Sequence, residues 1–259
     1  MQIYLAATPE SSQEAQKFCR NLAHVAYRIG EDSVLLRQSL LLQTRGGLLC
    51  VSDRDAPFID RPEALRDAVL RECGRRTYSG VLLDFEEAPR QDRLAFAAAL
   101  GSALAASRRA LYLPESYARA AQNAVLLLCT AISGGSFSQY LQESAARYGG
   151  ASRLALDVQR LRMDFRLPAH SGEGDSLSSS ALEALLKDAS PFFSQDLCAR
   201  YFTYTQDGCA HFVLFDDAGT LNQKLRLGTG MGFAAAFFMW PEVQDIAAPL
   251  FEPWRGRGK

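Results

Sequence analysis

The feature that most constrains the fold is a regular alternation of strand-like and helix-like runs along the chain. Aliphatic runs such as QIYLAA and GLLCVSD precede amphipathic runs such as RPEALRDAVLREC, where Pro62 lies in the first helical turn. About eight strands, mostly followed by helices, predict an α/β fold of the (β/α)8 barrel type, with residues 1–259 as one domain. The alternative is a doubly wound open sheet, whose G-x-G-x-x-G fingerprint is absent after the first strand.

The alternation breaks once, before the last strand. Residues 167–215 contain a loop-like stretch, a short helix over ALEALLKD and two strands around Asp207-Gly208, a pair that favours a hairpin turn. We therefore expect a small insertion with a short helix and a β-hairpin. Its aromatic residues predict either a small core of their own or one wall of a sugar cleft: Tyr201, Phe202, Tyr204 and Phe212.

The charge balance argues against a nucleic-acid partner or an anionic membrane surface. The 28 basic and 29 acidic residues nearly cancel. No apolar run approaches the ~18 residues that a membrane span requires. No secretory signal segment is visible at the N-terminus, which predicts a cytoplasmic or spore-associated protein.

Cysteine and histidine usage does not support a metal centre. The six cysteines contain no C-x-x-C pair and lie mostly in apolar runs, which is typical of buried thiols in a reducing compartment. A disulfide between Cys198 and Cys209 is compatible with the sequence but not required. The three histidines are scattered, and His170 and His211 are interpreted as structural or exposed. We expect neither a metal nor an organic cofactor.

Three carboxylates end one aliphatic run, YSGVLLDFEEAP at residues 78–89. Because side chains alternate along a strand, Asp84 and Glu86 are expected to share one face, opposite Phe85. In a parallel barrel that face is the interior, and the end of the strand is the mouth where barrel enzymes carry their chemistry. Two acids this close perturb each other's pKa, which suits a general acid. The alternative is a solvated strand end, and this is our interpretation of Glu87.

This stretch resembles the fourth-strand motif of family 18 glycoside hydrolases, the chitinase family, usually written D-G-x-D-x-D-x-E. Gly80 matches the glycine, Asp84 the last Asp and Glu86 the catalytic Glu, while Phe85 stands where the family often has an aromatic residue. Order and spacing extend the resemblance over most of the chain.

Two further segments carry the resemblance. Residues 136–158 are similar to the helix and seventh strand of bacterial spore and cell-wall members of the family. Residues 211–246 resemble the family's final helix and strand, in which a small-residue strand ends in a tryptophan, here Trp240.

The resemblance implies an enzyme that cleaves β-1,4 bonds next to N-acetylglucosamine in peptidoglycan or chitin-like glycans. The substrate's own acetamido group would be the nucleophile, and the configuration would be retained. Glu86 would protonate the leaving oxygen and later activate water, and Asp84 would orient the acetamido group. Trp240 would form an apolar floor under the sugar.

The chain departs from the family pattern at positions that matter for this chemistry. Ser79 and Leu82 replace the first and middle Asp of the motif, and Ala131 and Ile132 replace the Tyr and Asp of the sixth strand. The missing Tyr would hydrogen-bond the acetamido carbonyl, and losing one such donor costs ~3 kcal/mol of transition-state stabilisation. The alternative function is therefore a non-catalytic carbohydrate-binding protein on the same fold.

Other side chains are predicted to reach the mouth and contact the substrate in place of the missing groups. They follow the fifth and seventh strands: Tyr112, Glu115, Tyr117, Asp157 and Gln159. Arg160 and Arg162 either solvate a two-stranded extension or line a polysaccharide groove.

Residues near the end of the chain also have structural interpretations. Asp216 and Asp217 are predicted to cap the last helix, an ordinary role for Asp. Lys224 is predicted to lie on the surface of that helix, and Trp240 fits a core position as well as a site position.

Overall fold

The computed structural model of the protein describes residues 1–38, 45–168 and 174–254. The strands, in chain order, are β1 (Gln2–Ala7), β2 (Leu22–Gly30), β3 (Val34–Arg37), β4 (Leu48–Ser52), β5 (Gly80–Asp84), β6 (Ala110–Pro114), β7 (Val125–Cys129), β8 (Leu154–Asp157), β9 (Arg162–Arg166), β10 (Asp175–Ser176), β11 (Phe192–Ser194), β12 (Ala199–Gln206), β13 (Cys209–Phe215) and β14 (Ala235–Met239). The α-helices are α1 (Ser12–Gln16), α2 (Pro62–Arg76), α3 (Gln91–Ala106), α4 (Phe137–Arg147), α5 (Ser179–Leu186), α6 (Ala218–Met231), α7 (Trp240–Val243) and α8 (Ala247–Phe251).

Eight parallel strands of the described ranges close into a barrel. Their order is β1-β14-β8-β7-β6-β5-β4-β2, and the pairing of β1 with β2 completes the circle. β3 pairs antiparallel with β2 on the outside. The predicted (β/α)8 barrel is therefore confirmed, and the open sheet is excluded by the closure.

Side-chain alternation divides the barrel into an interior and an outer layer. An outer apolar cluster, which includes Val81, Leu83 and Phe85, packs between the strands and the helices. The interior cluster is smaller and consists of Tyr4, Ala6, Ala23, Leu48, Cys50, Leu82, Tyr112, Ala155, Ala235 and Phe237. The interior is thus filled by side chains, as in other barrels of this kind, and its C-terminal end is the mouth.

Gly80 starts β5 at a point where the neighbouring backbone leaves no room for a side chain. A Cβ atom placed there would lie 2.5 Å from the carbonyl oxygen of Ala110, next to the first residue pair of β5 and β6. The glycine of the motif therefore has a packing reason, since it lets two barrel strands approach each other.

The insertion forms an antiparallel sheet with strand order β10-β9-β13-β12-β11. It contains a short helix, α5, and a β12–β13 hairpin that turns at Asp207 and Gly208, both with positive φ. β9 pairs with β13, so the sheet begins at Arg162, five residues before the start predicted for the insertion. His170 and the rest of residues 169–173 lie outside the described residues.

The aromatic residues of the insertion serve both faces of its sheet. Phe202 packs with Leu182 of α5 in a small cluster of the insertion's own. Tyr201 and Phe212 pack on the opposite cluster, which contacts Ala131 of the barrel. His211 has a structural role, because its Nδ1 lies 3.0 Å from the Oδ2 of Asp164.

Three features hold across the described residues. All six cysteines are free thiols, so the optional disulfide is not formed. Within residues 1–38, 45–168 and 174–254, no helix has the length and apolar character that crossing a membrane requires. The same ranges contain no group of three His, Cys, Asp or Glu side chains arranged to hold a metal ion.

Candidate active site

Asp84 is the last residue of β5 and faces the barrel interior at the mouth. Leu82, two residues earlier, packs in the interior cluster, so Asp84 shares its side of the strand. Cys50 is an interior thiol close to this carboxylate. Burial raises the pKa of Cys50, and the negative charge of Asp84 raises it further. The motif's aspartate is therefore directed into the barrel.

The surroundings of Asp84 favour its protonated form. Burial, followed by the negative charges of Glu86, Asp157 and Asp53, raises the pKa of Asp84 to about 6, while Arg54 opposes the rise. A carboxyl group with this pKa exchanges its proton near neutral pH, which is a property of catalytic acids.

Glu86 lies on the exposed loop that follows β5. Its backbone N–H donates a hydrogen bond of 2.9 Å to the Oδ1 of Asp53, which directly follows β4. Because β4 and β5 are neighbours in the barrel, this bond ties the loop that carries Glu86 to the adjacent strand.

Asp53 is fully buried and belongs to a charged group beneath that loop. Its Oδ2 lies 3.7 Å from the Nε of Arg93, which is also fully buried. Arg93 donates in turn to the carbonyl oxygens of Ala56 and Pro57 and to Asp92. Sequence reasoning missed Asp53, although its place directly after the strand that precedes the motif is a usable signal.

A tyrosine predicted for the mouth instead supports the Glu86 loop from the outer layer. Tyr117 is fully buried, its ring packs edge-on against Phe85 at 5.4 Å, and its hydroxyl donates to the backbone oxygen of Glu87 at 3.3 Å. Glu87 itself is exposed and faces Arg90 at 3.6 Å, which agrees with a solvated loop residue. Tyr117 therefore holds the loop in place rather than lining the mouth.

Asp157 ends β8, and β6 and β7 lie between it and β5 around the barrel. Burial raises its pKa to about 6, with a further rise from Glu242. The Nε2 of Gln159 donates to its Oδ2 at 2.8 Å and partly offsets that rise. The mouth therefore has a second acid with a raised pKa. Asp157 and Gln159, both predicted to reach the mouth, are in direct contact with each other.

Tyr112 lies one layer below Asp84. It pairs with Leu82 across β5 and β6, is only 6% exposed and packs edge-on against Phe237 with ring centroids 4.9 Å apart. Its predicted contact with substrate is not supported, because its aromatic ring belongs to the packed interior. The position of Tyr112 within β6, before the end of the strand, could have shown this.

Glu115 follows β6 in a short 3-10 helix and is directed toward α4. Its Oε2 accepts a hydrogen bond of 3.0 Å from the hydroxyl of Tyr148, at the C-terminal end of α4. Glu115 is half-buried. Its charge is not among the causes that raise the pKa of Asp84 or of Asp157.

The prediction that Trp240 forms a floor under a sugar is wrong. Met239 is the inward-facing residue at the end of β14, so Trp240 turns to the outer cluster, where it is 1% exposed. Its ring packs against Phe18 at 5.6 Å. Trp240 is therefore a core residue, the other interpretation that the sequence allowed.

Lys224 was predicted at the surface, and this is also wrong. Its Nζ is fully buried, 2.8 Å from the Oδ2 of Asp216 and 3.1 Å from the backbone oxygen of Thr130 at the end of β7. The same Oδ2 accepts the N–H of Leu161, at the entry to the insertion. Only Asp217 caps α6 directly, with its Oδ1 accepting the N–H of Thr220.

A cavity of about 440 Å³ lies beside the mouth, between the barrel loops and the insertion. Gln159 and Glu242, both neighbours of Asp157, line its barrel side, and Met163 and Phe165 of β9 line the opposite side. Its other lining residues are Ala131, Ser133, Arg160, Leu161, Arg162, Gly174 and Ser176. The predicted groove residues Arg160 and Arg162 thus face a real hollow.

Arg160 and Arg162 differ in their ionic partners. The guanidinium of Arg160 contacts both carboxylate oxygens of Asp245 at 2.7 Å. Arg162 donates to the Ser179 hydroxyl at 2.6 Å, and it makes no ion pair within the described ranges. Arg162 is therefore the cation of this cavity that a ligand could neutralise.

No protein-family model matches the sequence, and no curated protein sequence matches it significantly. Known structures, in contrast, match the fold along nearly the whole chain. They show that the chain has a (β/α)8 barrel fold similar to that of chitinases and of spore cortex-lytic enzymes.

Three of these structures illustrate the likeness. A chitinase from Chromobacterium violaceum superimposes with a TM-score of 0.69 at 16% identity, covering 98% of this chain and 99% of the other. The spore cortex-lytic enzyme SleL of Bacillus cereus gives 0.67 at 16% identity, covering 96% of this chain and 74% of the other. A mutant GH18 chitinase from Cycas revoluta, in complex with (GlcNAc)4, gives 0.67 at 13% identity, covering 96% and 97%. The resemblance read from the motifs is thereby confirmed at the level of the fold.

Proposed function

We propose that this chain binds glycans with β-1,4-linked N-acetylglucosamine at the barrel mouth and hydrolyses them, with Glu86 as acid and base. The observation that carries this proposal is Asp84, which faces the mouth with a pKa of about 6, two residues before Glu86. The fold likeness to chitinases, one of them in complex with (GlcNAc)4, supports the same substrate class.

In the proposed reaction, the carboxyl group of Glu86 gives its proton to the glycosidic oxygen as that bond breaks. The substrate's acetamido oxygen attacks the anomeric carbon from the opposite face and forms a cyclic intermediate. The carboxylate of Asp84 accepts a hydrogen bond from the acetamido N–H and stabilises the positive charge that develops on the acetamido group. Water then opens the ring, the Glu86 carboxylate takes up a proton from that water, and the configuration is retained.

The cavity beside the mouth can hold further sugar units of a bound glycan. Gln159 lines it and contacts Asp157, so the cavity and the second acid of the mouth are directly connected. Its polar lining and the apolar wall of Met163 and Phe165 fit the two faces of a pyranose ring, one polar edge and one C–H face.

Two observations favour the second candidate, a carbohydrate-binding protein without hydrolysis. Ala131 occupies the place of the family's hydroxyl donor and packs against the insertion. Trp240 is buried in the outer cluster, so no indole floor lies open at the mouth.

Glu86→Gln separates the two functions. Glutamine keeps the shape of the side chain but cannot transfer the proton, and Glu87→Gln is a matched control because its carboxylate is exposed on the same loop. Reducing-end release from N-acetylglucosamine oligomers and from peptidoglycan fragments measures turnover, and calorimetry measures binding.

For the hydrolase, we expect Glu86→Gln to abolish turnover and retain binding, while Glu87→Gln retains both. The binding protein would show no turnover in the unmodified chain, with equal oligomer affinity in all three proteins. Failure of the unmodified chain to bind any of these glycans would contradict both functions.

A further inference from the structure

The end of the barrel opposite the mouth has basic residues and no acidic ones among its described residues. This basal end consists of the segments that lead into seven of the barrel strands, at residues 15–21, 45–47, 75–79, 105–109, 121–124, 146–153 and 230–234. Six of its basic side chains are exposed: Lys17, Arg20, Arg45, Arg75, Arg108 and Arg147. The near-zero net charge of the chain therefore does not describe this end, which is strongly basic.

Five of the six exposed cations lie along a continuous part of the barrel's circumference. They lead into β2, β4, β5 and β6, which are consecutive neighbours in the barrel. Hydrogen bonds hold these segments side by side. The N–H of Gly46 donates to the Arg76 oxygen at 2.9 Å, and the N–H of Ser79 donates to the Gly47 oxygen at 2.9 Å. The positive charges therefore form one surface.

Most of this charge has no carboxylate partner within the protein. Of the six, only Arg75 has an ion pair among the described residues, with its Nη1 3.6 Å from Glu72 and its side chain 76% exposed. Glu72 is in turn paired with Arg76 at 2.7 Å. Arg109, which is half-buried, has a structural contact instead, since its Nε donates to the Tyr78 oxygen at 3.1 Å.

Helix ends explain only part of the pattern. A basic residue in the last turn of a helix interacts favourably with the helix dipole, and Arg75 and Arg147 occupy such positions. Arg20 lies four residues beyond the end of α1, and Arg45 directly precedes the two glycines before β4. The dipole effect falls off within one turn, so it does not account for these two loop arginines.

The mouth has the opposite charge. Asp84 and Asp157 end two barrel strands there, and Glu86 and Glu242 follow strand ends. The fold thus separates along the barrel axis the charges that cancel in the net charge. In the field of an anionic surface, such a molecule turns its basal end toward the surface and its mouth away from it.

We propose that the basal end binds the surface of a membrane that contains anionic lipids, with the mouth directed away from the membrane. The net charge argued against such a partner, whereas the distribution of the charges favours it. The cations are spread around the end of a barrel, which matches the broad negative charge of lipid headgroups. Each basic residue close to such a surface strengthens binding about fivefold.

The contact is electrostatic, without insertion into the acyl chains. Within the described ranges, none of the large apolar side chains that are exposed lies at the basal end. The basal end therefore lacks both the apolar face of an interfacial anchor and the exposed aromatic rings on which the bases of single-stranded nucleic acids stack. The proposal does not depend on the function assigned to the mouth.

Co-sedimentation of the full chain with lipid vesicles tests the proposal. Vesicles of equal parts phosphatidylcholine and phosphatidylglycerol should bind the chain at ~0.05 M salt and release it at ~0.5 M salt, because salt screens the attraction. Vesicles of phosphatidylcholine alone should not bind it.

Two triple variants identify the surface. Arg45→Gln, Arg75→Gln and Arg108→Gln combined should weaken binding to the anionic vesicles about a hundredfold. The matched control removes the same charge from exposed arginines of the mouth loops and the insertion, and it should leave binding nearly unchanged: Arg54→Gln, Arg61→Gln and Arg166→Gln combined.

Three results with vesicles would overturn the proposal: no binding at low salt, binding that persists at ~0.5 M salt, or an equal loss in the two triple variants. A short DNA duplex added as a competitor provides the last comparison. Tighter binding of the duplex than of the vesicles, lost in the basal variant, would assign the surface to nucleic acid and would also overturn the proposal.

Discussion

Asp84 and Asp157 are two acids at the mouth of the barrel, and the pKa of each is raised. Burial is the first cause of the raised pKa of each, about 6 in both cases. Asp84 also experiences the charge of Asp157, so the two groups titrate as neighbours rather than independently. Near neutral pH the mouth therefore gains or loses protons in response to a small change of pH.

These values predict a loss of stability as the pH rises. The folded-state pKa of Asp84 lies above its ordinary value of 3.8, so the folded protein holds a proton that the unfolded chain has lost. This contribution is complete below the ordinary value and is lost as the pH rises through about 6. We expect denaturant unfolding to show a decrease of roughly 1–3 kcal/mol between pH 4 and pH 6.5 from this group.

Asp84→Asn should make that decrease smaller, because asparagine does not ionise. Asp188→Asn, at an exposed position of the insertion, is the matched control and should leave the pH dependence unchanged. An unaltered pH profile in Asp84→Asn would show that the carboxyl is solvated like any surface acid.

Asp53 supports a prediction about the position of Glu86. Asp53→Ala removes the acceptor of the Glu86 N–H and leaves Arg93 buried without this partner, which should cost about 3 kcal/mol of unfolding free energy. Asp53→Asn keeps an acceptor for that N–H. Compared with Asp53→Ala, it should therefore recover more of the glycan turnover than of the unfolding free energy. Asp60→Ala, an exposed acid nearby in the chain, should change neither. Equal turnover in Asp53→Ala and the unmodified chain would exclude a positioning role.

Among the secondary-structure elements, α6 connects a barrel strand to the insertion. Lys224 on this helix joins Asp216, which precedes it, to Thr130 at the end of β7. Asp216 also accepts the N–H of Leu161, where the chain enters the insertion. One buried ion pair therefore connects the helix, a barrel strand and the insertion.

Replacing Lys224 should lower the unfolding free energy far more than replacing an exposed lysine would. Lys224→Met leaves Asp216 buried without its cation, which should lower the unfolding free energy by about 3–5 kcal/mol. Arg226→Met, two residues along the same helix but exposed, should stay within ~0.5 kcal/mol. Thermal or denaturant unfolding measures both, and equal effects would show that the pair is not a connection of this kind.

The contact between β5 and β6 gives a second prediction about elements. Gly80→Ala forces a Cβ against the Ala110 carbonyl, and this overpacking should cost about 1–3 kcal/mol. Gly74→Ala in α2 meets no atom within 4 Å and should instead stabilise by about 0.5–1 kcal/mol. The opposite signs in denaturant unfolding are the test, and a tolerated Gly80→Ala would contradict the packing reason for the motif's glycine.

At the scale of the whole molecule, the barrel follows from local patterns, whereas parts of the site depend on distant partners. The alternation of runs was sufficient to predict the closed barrel, and the two-residue period of β5 places Asp84 inside it. The same period applied to β14 would have turned Trp240 outward, after Ala235, Phe237 and Met239.

Lys224 shows why the rest was not readable from the sequence. It lies on the buried stripe of α6 with Leu221 and Leu225, but a lysine is rarely buried without a partner, and that partner comes from the turn before the helix. The insertion was placed too late for a similar reason. β9 is assigned to the insertion sheet only by its pairing with β13, a contact more than forty residues away in the chain.

The central claim is that a glycan with N-acetylglucosamine binds where Asp84 and Glu86 meet at the barrel mouth. Its most direct test is carboxyl ¹³C NMR of Asp- and Glu-labelled chain, titrated with an N-acetylglucosamine tetramer and assigned with Asp84→Asn and Glu86→Gln. We predict that the carboxyl resonances of Asp84 and Glu86 shift with the tetramer, while that of Glu183, exposed on α5, does not. A saturating tetramer that leaves both resonances unchanged would contradict the claim.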